Sequence, residues 1–233
     1  MSNSNGIDNE IEILSAHDLA QLAVHDMKIY VNYYHKSAFK DPLVYKEQEV
    51  SVDLDLPHLK KLNAPIKLSI EKEGTKYHVK GTYNLPIDAF SFEKETSEFE
   101  KTFDRLPATL STRVGTLTFT PSKVYKLEDG EVLKAVIVSP EMAAKQYTKN
   151  LTVSQTSKTT TIAELVLNDE NPQRALDYLN TLLKVYNRQA NEDKNEIAFR
   201  TEQFINNRLQ KINAELGNTE GQLESYKKRN KVI

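Results

Sequence analysis

From Pro172 to about Asn230 the chain contains no second proline, and its apolar residues recur every three or four positions, so the stretch reads as one helix. At 1.5 Å per residue it would run for about 90 Å, several times the length of an ordinary globular helix. A domain built from the rest of this chain is too small to cover such a length. The expectation is one compact domain over residues 1–170 and one extended helix over 171–233, with the helix covered by something outside the chain.

Composition agrees with one core plus one projection. The 233 residues are 39% hydrophobic and 27% charged, with a formal net charge of −2, which gives no footprint for nucleic acid. There is no cysteine, so disulfides, thiolate metal sites and thiol chemistry are out of reach. Met1–Gly6 is polar, and nowhere do eighteen apolar residues run together, so no signal or spanning segment is expected within these residues. The bare opening also suits a segment cut from a membrane-anchored parent.

Taken in order, Ile7 to Tyr30 is helical in two pieces. Ser15 and Asp18 fit a capping box, with Leu14 and Leu19 as its hydrophobic staple. Leu19, Leu22, Ala23, Met27 and Tyr30 make an apolar face suited to a sheet. Tyr33 to Gln48 is mixed and dense in aromatics: Tyr30, Tyr33, Tyr34, Phe39 and Tyr45 read as core filling, or as a sugar-binding surface.

Val50 to Leu56 alternates as a half-buried strand. Pro65–Glu71 and Lys76–Tyr83 flank Glu73-Gly74 as a hairpin. Phe99–Phe103, Val114–Phe119 and Val132–Val138 supply further strands. Ser139-Pro140-Glu141 opens a helix to about Asn150, with serine as cap and proline at its first position. Leu151–Ser154 and Thr160–Leu167 are strand-like, and Asn171 caps the long helix at Pro172. This order specifies an α+β domain with a mostly antiparallel sheet.

Within the long helix one seam runs Leu176, Leu179, Leu183, Tyr186 and Ala190, continuing through Asp193, Ile197, Arg200 and Phe204. A second, displaced by one residue, runs Ile205, Leu209, Ile212, Leu216, Thr219, Leu223 and Tyr226, as in a coiled coil. The part before Phe204 is expected to pack on the domain and the part after Ile205 to project and meet another helix. Gly217 and Gly221 read as a C-cap, a close-approach site or a tolerated weakness. The seam passes through them in phase, which favours an unbroken helix. The run Lys227–Lys231 is a solvated terminus or a touch point for an anionic partner.

Chemistry is conspicuously sparse. The seven glycines make no phosphate loop, dinucleotide fingerprint or nucleophile elbow. His17 and His25 lie two turns apart on one helix, too far to share an ion comfortably. Asp53/Asp55 and Glu98/Glu100 lie on single strand faces, where acids are commonly solvated rather than catalytic. Asn150-Leu151-Thr152 matches a glycosylation sequon, a motif too short to carry weight. No catalytic, cofactor-binding or metal-binding residue is assigned.

Four passages in this order resemble one family: Glu10–Ser15 with the helix through Leu22; Leu106–Leu110 to Gly115–Phe119; Leu151–Leu167 ending in Asn168-Asp169-Glu170-Asn171-Pro172; and the helix bearing Phe204–Leu209 and closing in Glu224–Lys227. Together they resemble the periplasmic region of the Wzz/Wzc-type chain-length determinants, or polysaccharide co-polymerases, especially members fused to a cytoplasmic tyrosine autokinase. The resemblance implies a periplasmic domain of a bacterial inner-membrane protein that assembles with identical subunits into a ring. It also implies control of capsular or exopolysaccharide length alongside a polymerase and export machinery.

The flanking transmembrane helices, the returning helix and the kinase domain of that family are not matched, so the chain is expected to be non-catalytic and without cofactor, whatever its parent does. Neighbouring subunits and the returning helix are the cover that the resemblance implies for the long helix. Expected oligomer or helix contacts are Ile205, Leu209, Ile212, Leu216, Leu223 and Tyr226. Arg188, Arg200, Arg208 and Lys211 either touch polymer or pair with neighbouring acids. Two readings from other classes compete: a periplasmic adaptor of an efflux or secretion pump, disfavoured by the scarcity of glycine around the helix start, and an enzyme whose carbohydrate cleft is lined by Tyr30, Tyr33, Tyr34 and Tyr45.

Overall fold

The computed structural model describes residues 5–86, 94–157 and 160–230; Met1–Ser4 of the polar opening and Lys231 of the basic run lie outside them. The chain divides into two units, Met1–Val185 and Tyr186–Ile233. Helices and antiparallel strands are mixed in the first, and a single long helix runs from the first into the second, so the class is α+β.

Alternation in the sequence becomes pleat in the first unit. Strands β1 (Val31–His35), β2 (Leu43–Val44), β4 (Ile66–Glu73), β5 (Lys76–Pro86), β6 (Lys94–Phe103) and β9 (Val132–Ile137) form one sheet in the order β2-β1-β9-β4-β5-β6. Ile66, Leu68 and Ile70 of β4 pair with Ile137, Ala135 and Leu133 of β9, and all six are buried. The register thus gathers one apolar face, because side chains on paired strands repeat with period two. The β4–β5 hairpin turns at Gly74, whose φ of +59° is a conformation that glycine adopts without penalty. Strand β6 forms the sheet's outer edge.

A second sheet orders β3 (Val50–Leu54), β8 (Gly115–Pro121) and β7 (Ala108–Thr112) as β3-β8-β7. Val50, Val52 and Leu54 point inward as their alternation predicts. The two sheets are joined by one phenol: Tyr33 of β1 donates to the Val52 carbonyl (3.2 Å) and accepts from the Val52 N–H (2.7 Å). This satisfies backbone groups that an edge strand otherwise leaves open. Helix α3 (Leu56–Lys61) follows β3 directly, capped by Asp55, which accepts from the His58 N–H. The same carboxylate accepts from the Thr116 N–H at 2.6 Å. It passes so close to Gly115 that an added Cβ there would lie 2.6 Å from its Oδ2. The glycine that punctuates the sequence here is required by that approach and by its φ of +122°.

Several local expectations are corrected. Helices α1 (Asn5–Leu14) and α2 (His17–Met27) do form two pieces, but Ala16, not Ser15, stands at the N-cap of α2 and makes no side-chain cap bond. The Ser15 hydroxyl instead donates back to the Ile11 carbonyl at 2.7 Å, in the last turn of α1. The staple residues Leu14 and Leu19 are buried all the same. The most deeply buried residues of α2 are Leu19, Ala20, Ala23 and Val24, and its main neighbour is helix α4 (Pro140–Asn150) rather than a sheet. Ser139 caps α4 as expected, accepting from the Met142 N–H. Strands β1, β2 and β7 and helix α3 arise in stretches without a clear period. Strands β10 (Leu151–Gln155) and β11 (Ala163–Leu167) pair as a separate ribbon.

Helix α5 spans Pro172–Asn230 and passes through Gly217 and Gly221 unbroken. Asn171 is its cap, accepting from the Arg174 N–H at 3.0 Å. The stripe that packs into the first unit is Tyr178, Leu182 and Val185, whereas the seam residues Leu176 and Leu183 are 53% and 40% exposed. Tyr178 stacks on Tyr147 of α4 with ring centroids 4.4 Å apart. Burial ends sooner than Phe204, since every residue of α5 from Asn191 to Arg229 is exposed.

Asp177, on the first turns of α5, accepts from Lys46 Nζ, from the Tyr45 hydroxyl (2.8 Å) and from Gln173 (2.9 Å). The ammonium hydrogen bond, with the two neutral donors, holds its carboxyl down to about 2. A carboxyl whose pKa is lowered by folding stabilises the fold above its unfolded value near 4 and loses that contribution as pH falls through the folded value. Asp177→Asn is therefore expected to melt below the parent at pH 6, with the difference shrinking from about pH 4 downward and vanishing only below about pH 2. Thermal melts of the pair across that range check it.

Candidate functional site

The second unit contains α5 from Tyr186 onward, and its apolar residues form the candidate surface. Ile205, Leu209, Ile212, Leu216, Leu223 and Tyr226 are each between 44% and 63% exposed. Their spacing of three and four, with Thr219 completing it, places them along one line of the helix. Six large apolar side chains in a row on a water-facing helix are unlike the scattered single exposures of an ordinary surface. Ile197, Phe199 and Phe204 are also exposed, at 65%, 58% and 71%, but they lie to the side of that line.

The four cations proposed for polymer contact do not form one patch. Arg200 and Lys211 are eleven residues, or about three turns, apart and share a face, while Arg188 lies about a third of a turn round from Arg200. Arg200 donates to Glu196 one turn back at 2.5 Å. This is the solvated pairing that an exposed arginine commonly makes. In the basic run, Lys228 pairs in the same way with Glu224 at 2.6 Å. Gly217 and Gly221 have nothing within 4 Å of an added Cβ among the described residues.

The first unit uses its polar groups structurally. Arg174 donates Nε and Nη2 to Asp169 (2.8 to 3.0 Å) and Nη1 to Asn32 on β1 (2.7 Å). The Asp169 side chain is 3% exposed and that of Arg174 12%. This pair, unremarked in the sequence although only five residues separate its members, ties the start of α5 to the large sheet. The sequence signal for it is an arginine in the first turn of α5, just after the acidic Asp169-Glu170 turn.

The tyrosines do not line a common cleft. Tyr30 and Tyr33 are buried, the first donating to Asp53 at 3.0 Å. Desolvation pushes both phenols upward, that of Tyr33 to about 12. Tyr45 is committed to Asp177, and Phe39 alone of the group stands fully in water. Three of the four paired acids are likewise occupied: Asp53 by Tyr30 and Lys28, Asp55 by the α3 cap, and Glu100 by Lys80 at 3.2 Å.

A depression of about 750 Å³ lies on the solvent side of the large sheet, lined by Lys67, Lys80, Thr82, Glu98, Glu100 and Lys134. Two of its three lysines are neutralised locally, Lys80 by Glu100 and Lys134 by Asp41. Among the described residues no group of three histidines and carboxylates is placed to hold a metal ion, and no helix is long and apolar enough to cross a membrane. The chain matches no protein-family model and no curated protein.

Proposed function

We propose that this chain is the non-catalytic oligomerisation and chain-length-control module of a capsular or exopolysaccharide assembly protein, working in the periplasm on a membrane-anchored parent of the tyrosine-autokinase-fused kind. In this reading its partners are identical subunits and, through the parent, the polysaccharide polymerase and export machinery. The observation that carries the reading is the apolar line Ile205 to Tyr226, exposed on an unbroken helix. Such a line is costly to leave in water and has the spacing of a helix–helix seam. The four sequence passages that resemble the chain-length determinants supply the biological setting. Arg200 and Arg208 serve here as candidate polymer contacts that act after assembly.

The test is a cellular one. Ile205→Asp with Ile212→Asp, introduced into the parent gene, is expected to change the length distribution of the surface polysaccharide on gels while parent protein levels hold. Polysaccharide of unchanged length in cells carrying the folded variant would overturn the proposal.

A further inference from the structure

A polar recess of about 430 Å³ opens in the first unit where helix α4, strand β1 and the start of α5 converge. Ala143, Gln146, Tyr147 and Asn150 are spaced three and four along α4, so they form one stripe of that helix. Asn32 and Tyr34 are alternate residues of β1 and share one of its faces. The turn Asn168-Asp169-Glu170 closes the remaining side, with Arg174 in the first turn of α5 behind it. The Asn168 N–H donates to the Asn150 carbonyl at 3.1 Å, which brings these two carboxamide residues to the same rim.

The charges of the recess are already matched. Arg174 and Asp169 neutralise one another at its buried end, and Glu170 is met by Lys40 at 3.2 Å. A net charge brought in would find no unmatched opposite among the described residues that line it, and would give up hydration. The recess therefore selects against ions.

What is left over is neutral and forms hydrogen bonds in both directions. The carboxamides of Gln146, Asn150 and Asn168 and the hydroxyl of Tyr34 make no side-chain hydrogen bond among the described residues. Asn32 spends its carbonyl oxygen on Arg174 and keeps its N–H donors. A carboxamide presents a donor and an acceptor side by side, the complement of a hydroxyl, which donates and accepts from one atom. The half-buried ring of Tyr34 adds an apolar surface beside those polar groups. The size lies within the usual range for small-molecule pockets, about 300–1,000 Å³. Size, neutrality and paired donors and acceptors together describe a site for an uncharged ligand rich in hydroxyl groups.

We propose that this recess binds a neutral saccharide, whose hydroxyls are taken by Gln146, Asn150, Asn168 and the Tyr34 hydroxyl. That the hydroxyl-rich ligand is a saccharide rests on the reading of the chain as a polysaccharide-length module. Its neutrality and its mode of hydrogen bonding rest on the recess alone. The polymer thereby gains a point of contact in the first unit that does not depend on the cations of α5.

The side-chain NH₂ resonances of the carboxamides report on the site directly in amide-detected NMR spectra of the whole chain. The probes are the methyl glycosides of glucose, galactose, mannose and N-acetylglucosamine, and oligosaccharides cut from the producing cell's own surface polysaccharide. At least one is expected to shift the Gln146, Asn150 and Asn168 resonances together and saturably. Gln146→Ala with Asn150→Ala, both at exposed positions, is expected to weaken that binding about tenfold, as the loss of one or two hydrogen bonds would, while the thermal midpoint holds. If no probe moves these resonances, or if binding is undiminished in the double variant, the proposal is overturned, and the length-control reading, tested separately at Ile205 and Ile212, still stands. Tighter binding of glucuronate than of methyl glucoside would overturn the neutral assignment. Saccharide binding here, together with unchanged polymer length in the Ile205 and Ile212 variant, would keep the recess and remove the length-control role.

Discussion

Arg174→Ala is expected to remove about 3 to 5 kcal/mol of stability from the first unit, because it strands Asp169 without a cation where water does not reach. Asp169 keeps the Asn171 N–H at 2.8 Å and a long contact of 3.4 Å from the Tyr147 hydroxyl. Neither carries the charge that the guanidinium offsets. The substitution also frees Asn32 on β1 from the 2.7 Å bond it accepts. Arg174→Lys should fall between, since an ammonium keeps the charge but not the fork that spans both Asp169 oxygens and Asn32. The double change Arg174→Gln with Asp169→Asn should lose less than Arg174→Ala, because it removes both charges together. Urea midpoints at constant slope measure the series. A loss below about 1 kcal/mol for Arg174→Ala would mean that the pair behaves as a surface ion pair.

The second large effect is at Tyr178 and has two opposite signs. Its side chain is fully buried, stacked on Tyr147, and its hydroxyl has no hydrogen-bond partner among the described residues. Burial pushes that phenol's pKa up, as expected of a group with nothing to accept its proton or stabilise its anion. Truncation to alanine opens a ring-sized hole and should cost about 3 to 5 kcal/mol. Tyr178→Phe keeps the ring and deletes only the stranded hydroxyl, so it should stabilise by about 1 kcal/mol. A destabilised phenylalanine variant would show that the hydroxyl is satisfied in solution.

Both sites sit on parts of α5 where the sequence was informative about period but not about phase. Between Ala175 and Tyr186 apolar residues occupy two neighbouring stripes, Leu176-Leu179-Leu183-Tyr186 and Tyr178-Leu182-Val185. A nearly all-round apolar helix gives no way to choose between them. The choice is made by Tyr147 on α4, more than twenty residues away in sequence. The hairpin at Gly74 and the inward set Val50, Val52 and Leu54 were legible because alternation and turn chemistry agree there. Ser15 departs from its expected capping role because a serine can bond backward into the helix it ends as readily as forward into the one it precedes. The exposed line from Ile205 was legible in full, since no tertiary contact intervenes to change its meaning.

The outer strand β6 bears on whether another chain can add to the sheet. β6 is paired to β5 along its whole length on one side, and the backbone groups of its outer side are a template on which another chain can add. Glu95, Glu98, Glu100 and Lys101 crowd that margin and stand in water, so an incoming strand would have to strip hydration from a dense row of charge. Growth through this edge of the sheet is thereby penalised from the outset. A charge-stripped β6 would open the way to fibrous growth strand by strand.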